Sequence, residues 1–361
     1  MIWVSLTGLY VGRVDSLRVL FDELRRSGYF VVGYKVVDGV LRLEELSSFD
    51  ELAQGVEDLQ GPGRYSLVRG SFYRHGPDSP KKFLYPPNLT LFKVSSGWDV
   101  VVPVREVRRL AFFGLKPCDL ASIKVLDRVL LGVDDYYESL RKSSVLIVEN
   151  CTIPGNTCFC GTMNTGPRAR DSFDLAYTRL GDKLVLEAGS VLGLKLLNLL
   201  EVEPIDDTTY ERFEATMRSA SEKARAGFEL NGLPEELELR IESKVYEKIT
   251  EKCLGCANCN MVCPTCFCFD VLDAPLIDGS AERVRVWDGC LNFTYGQVAG
   301  GHFRPDLWAR YRHFVLHKFA YWVKQFGTFG CVGCGRCITW CPTGIDLRET
   351  VRSVLRGGKS G

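Results

Sequence analysis

The 361-residue chain carries fifteen cysteines, and eight of them fall into two runs of identical spacing. The first run is Cys253-x-x-Cys256-x-x-Cys259-x-x-x-Cys263-Pro264. The second is Cys331-x-x-Cys334-x-x-Cys337-x-x-x-Cys341-Pro342. A [4Fe–4S] cubane takes one thiolate per iron. A tight turn brings the first three sulfurs of such a run onto one cluster, and the fourth, ahead of proline, points to the partner cluster. The spacing therefore predicts two [4Fe–4S] clusters with crossed ligands. Cluster A takes Cys253, Cys256, Cys259 and Cys341, and cluster B takes Cys331, Cys334, Cys337 and Cys263. The alternatives are buried cysteine or a zinc ribbon. Zinc sites need one tetrahedral set and usually separate two C-x-x-C pairs, and two complete runs each closed by Cys-Pro fit that poorly.

Four more cysteines lie in the first half: Cys118, Cys151, Cys158 and Cys160. Their spacing is no standard motif, so the elements around them carry the argument. Leu110–Leu115 (LAFFGL) and Ser144–Glu149 (SVLIVE) read as buried strands. Lys116-Pro117-Cys118-Asp119 breaks the first, and Leu120–Leu131 is helix-periodic. If the two strands share a parallel sheet, Cys118 and Cys151 emerge at its carboxyl edge, where α/β folds place ligands. Cys158 and Cys160 sit on the irregular loop Asn150–Gly166 and close over the same point. A third iron–sulfur cluster is the expectation; four ordinary thiols or a zinc site are the alternatives. Cys266, Cys268 and Cys290 show no fourth ligand and are expected to be structural.

Residues 1 to about 205 read as an α/β domain. Leu17–Arg26 is predicted helical, Tyr29–Val37 a strand, Ala176–Leu180 and Lys183–Glu187 a hairpin, and Val191–Leu200 a helix. Glu203–Asp207 looks like a hinge. Thr208–Ala226 and Glu235–Lys252 are charged and helical. The expected division is 1–205, a linker at 206–232, and a second domain at 233–361. Between Cys263 and Cys331 lie residues 264–330, 67 in all. They hold a predicted strand, Arg283–Trp287, and a long helix, Pro305–Gln325. That insertion favours a mainly helical dicluster ferredoxin domain over a small ββαβ sandwich.

Hydrophobic residues make up 46% of the chain and charged ones 25%, with 45 basic against 45 acidic residues. The zero net charge argues against a nucleic-acid or anionic-membrane partner. Lys81–Lys82 and Arg105, Arg108 and Arg109 read as solvated faces or partner contacts. The apolar opening, residues 1–10, lacks a basic segment ahead of it, so no secretory signal is expected, and no run of about 18 apolar residues predicts a membrane span. A cytoplasmic protein with this many cysteines uses them for metal rather than disulfides. His313 and His317 share a helix face among aromatics and read as packing. Asp119 reads as a helix cap. No G-x-G-x-x-G or P-loop motif, nucleophile elbow or protease signature appears.

These segments carry a family resemblance. Ser79-Pro-Lys-Lys-Phe-Leu-Tyr-Pro86, Phe113-Gly-Leu-Lys-Pro-Cys-Asp-Leu120 and Asn150-Cys-Thr-Ile-Pro-Gly-Asn-Thr-Cys-Phe-Cys-Gly161 match in the first half. Cys263-Pro-Thr-Cys-Phe-Cys-Phe-Asp270, Arg285-Val-Trp-Asp-Gly-Cys290 and the stretch from Arg312 through His317-Lys318 to Cys341-Pro342 match in the second. The chain resembles the β subunit of archaeal soluble [NiFe] hydrogenases, the sulfhydrogenases. It is also similar to the corresponding iron–sulfur component of anaerobic sulfite reductase, from the same wider family. The resemblance implies a non-catalytic electron-transfer subunit with three [4Fe–4S] clusters. It would link a flavin/NAD(P)-binding subunit to hydrogenase small and large subunits, or to sulfite reductase subunits. A self-contained flavin or sulfur-substrate oxidoreductase is the reading of another class.

Overall fold

The computed structural model describes residues 8–357; residues 1–7 of the apolar opening lie outside the described part. An eight-stranded mixed sheet organises the first half. Its strands run in the order Glu203–Pro204, Leu9–Arg13, Lys183–Ala188, Leu175–Leu180, Val145–Glu149, Leu110–Leu115, Phe30–Val37, Val40–Glu45. The contacts among Leu175–Leu180, Val145–Glu149, Leu110–Leu115 and Phe30–Val37 are parallel. The outer pairs are antiparallel.

The central strands are apolar on both faces because both are covered. Alternate residues divide between two cores. Val31, Ala111, Phe113, Val145 and Ile147 pack against Leu17, Phe21 and Leu24 of the helix Ser16–Arg26. Val32, Phe112, Leu146 and Val148 pack against Leu120, Ile123 and Leu126 of the helix Pro117–Leu130. That second helix starts three residues before the predicted Leu120, with Pro117 in its first turn, where a missing N–H costs nothing.

The predicted hinge at Glu203–Asp207 is partly an edge strand paired with Leu9–Arg13. Asp206 caps the next helix, Asp207–Lys223, by accepting from Thr209 N. The predicted helix over Glu235–Lys252 is two short ones, Leu233–Leu239 and Val245–Thr250.

The insertion between the cysteine runs is less helical than its pattern predicts. It contains the hairpin Phe269–Pro275/Ala281–Trp287 and a small hairpin, Gln297–Val298/Gly301–His302. The first hairpin joins Asn88–Val94 and Val100–Val101 in a four-stranded sheet. Strands from both halves of the sequence thus share one sheet. The long predicted helix is present as Leu307–Leu316 and Trp322–Phe326, joined by a π turn at His317–Tyr321. The wide turn carries the buried Lys318, whose Nζ donates to Thr265 Oγ1 at 3.2 Å and Gly330 O at 3.3 Å. Single-turn π segments of this kind recur at functional positions. No helix among the described residues is long and apolar enough to cross a membrane.

Candidate metal centres

The two cysteine runs adopt the same local backbone. In the first, Gly255 and Ala257 take left-handed φ values of 63° and 56°, and a one-turn helix, Asn258–Met261, follows. In the second, Gly333 and Gly335 take 65° and 79°, and Arg336–Thr339 follows. Left-handed residues curl the chain so that alternating sulfurs turn inward. Alanine suffices at 257, but glycine is required at 333 and 335. A Cβ on Gly333 would stand 2.6 Å from the Phe159 carbonyl, and one on Gly335 would strike Thr157 O.

The structure brings Cys341 into the pocket lined by Cys253, Cys256 and Cys259, against Leu254, Leu291, Tyr311 and Phe314. Cys263 instead faces Cys331, Cys334 and Cys337. Each Cys-Pro-Thr corner repeats one contact: Thr265 Oγ1 lies 3.2 Å from Cys263 Sγ, and Thr343 Oγ1 lies 3.5 Å from Cys341 Sγ. Backbone N–H groups also aim at sulfur, Gly333 N to Cys331 Sγ at 3.4 Å and Ile345 N to Cys341 Sγ at 3.3 Å. Such donors stabilise thiolate over thiol and tune a cluster's potential.

The four cysteines of the first half also converge. Leu110–Leu115 and Val145–Glu149 are adjacent parallel strands, so Cys118 and Cys151 leave the same carboxyl edge. Cys158 and Cys160 return to it on the following loop, and all four are buried. Cys160 faces Cys158 and Cys151, and Cys118 faces Cys160. A Cβ on Gly166 would lie 3.1 Å from Cys160 Sγ and 3.4 Å from Pro117, which closes the loop tightly over the group. Burial pushes the Cys151 thiol up to about 11 and the Cys158 thiol up to about 12. Four thiols so placed stay protonated unless a cation takes the charge, so metal binding there releases protons.

This loop is joined to the second run by contacts that sequence reasoning did not find. Phe159 N donates to Gly333 O at 2.7 Å, Thr165 Oγ1 to Val332 O at 2.6 Å, and the Thr157 and Thr339 hydroxyls meet at 2.7 Å. His75 Nε2 stands 2.9 Å from Cys334 O, and Cys158 Sγ 3.6 Å from the same carbonyl. Asp119 does not cap its helix. It lies fully buried 2.8 Å from Arg336 of the second run, and Tyr34 donates to its other oxygen at 2.6 Å. Arg336 Nε donates to Gly76 O at 3.1 Å, while its Nη1 is buried with no protein partner. Cys334 and Cys118 face this guanidinium. An anionic cluster between them would satisfy the orphaned donor. A charged residue inside a metal run, paired with one next to Cys118, is the signal that pattern reading passed over.

Other expectations resolve differently. Lys81 is buried rather than solvated, its ammonium 3.7 Å from the Trp287 ring centroid. Arg108 and Arg109 cover Phe30 and Tyr29 at 3.6 and 4.1 Å. His313 and His317 stack at 5.5 Å, and burial pulls them down to about 4 and about 3. Both are neutral, packed rings at physiological pH. Among the described residues, no three His, Cys, Asp or Glu side chains are arranged to hold a single metal ion. The zinc alternative therefore finds no site there. Sulfurs spread around a pocket with apolar walls, N–H donors and buried cations suit a cluster.

Comparison with known proteins agrees with this reading. Residues 252–345 match the family model described as a 4Fe-4S dicluster domain. The chain is 35% identical over 344 residues to the protein named sulfhydrogenase 2 subunit beta of Pyrococcus furiosus, across 93% of this chain and 95% of that one. No solved structure matches. The dicluster module holds [4Fe–4S] clusters, and a relative alike over nearly its whole length places the remainder: the chain belongs to the sulfhydrogenase β-subunit family.

Proposed function

We propose that the chain is the iron–sulfur electron-transfer subunit of a heteromeric cytoplasmic hydrogenase of the sulfhydrogenase type. It would relay electrons between hydrogenase small and large subunits and a flavin/NAD(P)-binding subunit. The observation that carries this is the sequence of thiol groups through the molecule. The group of Cys118, Cys151, Cys158 and Cys160 lies against Cys334, and Cys337 of the same run faces Cys259 of the other. We assign three [4Fe–4S] clusters to these sets: the first-half group, then Cys331, Cys334, Cys337 and Cys263, then Cys253, Cys256, Cys259 and Cys341. We divide the chain accordingly into an α/β domain (1–205), a linker (206–232) and a dicluster domain (233–361), whose framework we take to be the helical type.

A bound [4Fe–4S] cluster supplies one-electron chemistry and no proton-transfer step. The chain's residues do the rest. Apolar walls exclude water, N–H donors reach the thiolates, and Lys318 and Arg336 set positive charge beside the clusters; such charge raises a cluster's potential. At the far end, Cys256 is exposed and Leu254 is 68% exposed, which suits hand-over to a partner.

Isolation of the native complex tests the assignment. Hydrogenase subunits should copurify, with hydrogen-dependent dye reduction; sirohaem-containing partners and sulfite reduction would assign it to the sulfite reductase branch instead. Cys341→Ala tests the crossed ligands. Its loss of iron and of reduced-state EPR signal should match that of Cys256→Ala. A loss matching that of Cys334→Ala would overturn the crossing.

A further inference from the structure

Cys266, Cys268 and Cys290 belong to none of the three sets, yet they lie together. Cys266 and Cys268 leave the first run just after Thr265, and Cys290 follows the strand Ala281–Trp287 back from the four-stranded sheet. Asp288 N donates to Cys268 O at 3.0 Å and holds the two segments side by side. The side-chain nitrogen of Asn260, itself 1% exposed, stands 3.6 Å from Cys266 Sγ and 3.6 Å from Cys290 Sγ. Cys268 faces Cys290, and the Tyr295 hydroxyl bonds to Cys268. Three thiols from two chain segments thus surround one buried amide.

Two ammonium groups are buried against them. Lys81 and Lys318 are 2% and 3% exposed. The negative groups facing Lys81 are Cys266, Cys263 and Cys268; those facing Lys318 are Cys263, Cys266 and Cys331. Burying a cation is costly unless an anion meets it. Their hydrogen bonds go to neutral oxygens: Cys266 O at 3.0 Å for Lys81, Thr265 Oγ1 and Gly330 O for Lys318. Cluster B accounts for Cys263 and Cys331. It leaves the charge beside Cys266 and Cys268 without an owner.

We infer that Cys266, Cys268 and Cys290 hold a fourth iron–sulfur cluster of cubane type, with three protein thiolates and one corner not held by cysteine. Asn260 donates to two of its thiolates, and Lys81 and Lys318 offset its charge. Cys266 donates to Cys263, and Cys290 faces Cys259, so the site adjoins both clusters of the dicluster module. It accepts one electron from either neighbour and becomes one unit more negative, a change that the two lysines stabilise. It forms a side branch on the relay, next to the exposed strand Phe269–Pro275.

The test uses the full-length chain, loaded anaerobically with iron and sulfide. Iron and acid-labile sulfide should exceed the roughly twelve per chain that three cubanes contain, reaching about fifteen for a three-iron cluster or about sixteen for a four-iron one. In Cys268→Ser/Cys290→Ser the excess and one EPR-active centre should vanish while the other signals persist. A parent chain at about twelve would overturn the inference whether or not the variant folds. So would a double variant with the parent's iron and spin count. Failure of the three-cluster assignment reads out separately, in Cys118→Ala.

Discussion

Replacing Cys118 with alanine should remove about four irons and four sulfides from the chain and leave the two clusters of the dicluster module in place. Cys118 sits at the start of the helix Pro117–Leu130, whose position is fixed by the core beneath it. No neighbouring thiol outside its own group stands ready to replace it except Cys334, which cluster B already uses. The expected readout is one fewer reduced-state EPR signal with the remaining spectrum intact. Cys151→Ala and Cys160→Ala should give the same result. Unchanged iron content in Cys118→Ala would mean that these four cysteines are ordinary buried thiols.

The second large effect is on stability. Arg336→Met would leave Asp119 as a fully buried carboxylate without its cation, and breaking such a pair costs about 3–5 kcal/mol. Because Asp119 belongs to the first half and Arg336 to the second run, the loss should loosen the seam between them as well as lower the thermal midpoint. Increased proteolysis at the 150–166 loop, which rests on Gly333 and Gly335, would report that loosening. Arg336→Met/Asp119→Leu removes both charges and should recover much of the loss, since an apolar replacement of a buried pair is often neutral. A double variant no more stable than Arg336→Met would show that the pair's own charge is not the cause. Tyr34, which donates to Asp119, contributes to either variant and is the first place to look for a residual cost.

How far the sequence revealed this depended on whether the signal was local. Leu110–Leu115 is legible because a strand buried on both faces is apolar throughout. The cysteine runs are legible because one turn fixes their spacing. The convergence of Cys118 with Cys151 followed from two strands and a rule about sheet edges. The shared sheet of Asn88–Val94 with Ala281–Trp287 was not legible, since strands nearly two hundred residues apart carry no mark of each other. Neither was the Asp119–Arg336 pair, where each residue had a plausible local reading, a cap for one and a turn residue for the other. The helix Pro305–Gln325 was found, but its π turn was not, because one widened turn hardly disturbs an apolar stripe. Lys81 looked like a surface lysine because burial of a cation is decided by distant thiols, not by its neighbours in sequence.

The central claim is that this chain is a multi-cluster electron relay, and an EPR-monitored redox titration of the anaerobically prepared full-length chain tests it most directly. The account predicts at least roughly twelve irons per chain, matched by labile sulfide, and reduced-cluster signals from at least three mutually interacting centres. About four irons or fewer, or no EPR signal on reduction, would contradict it.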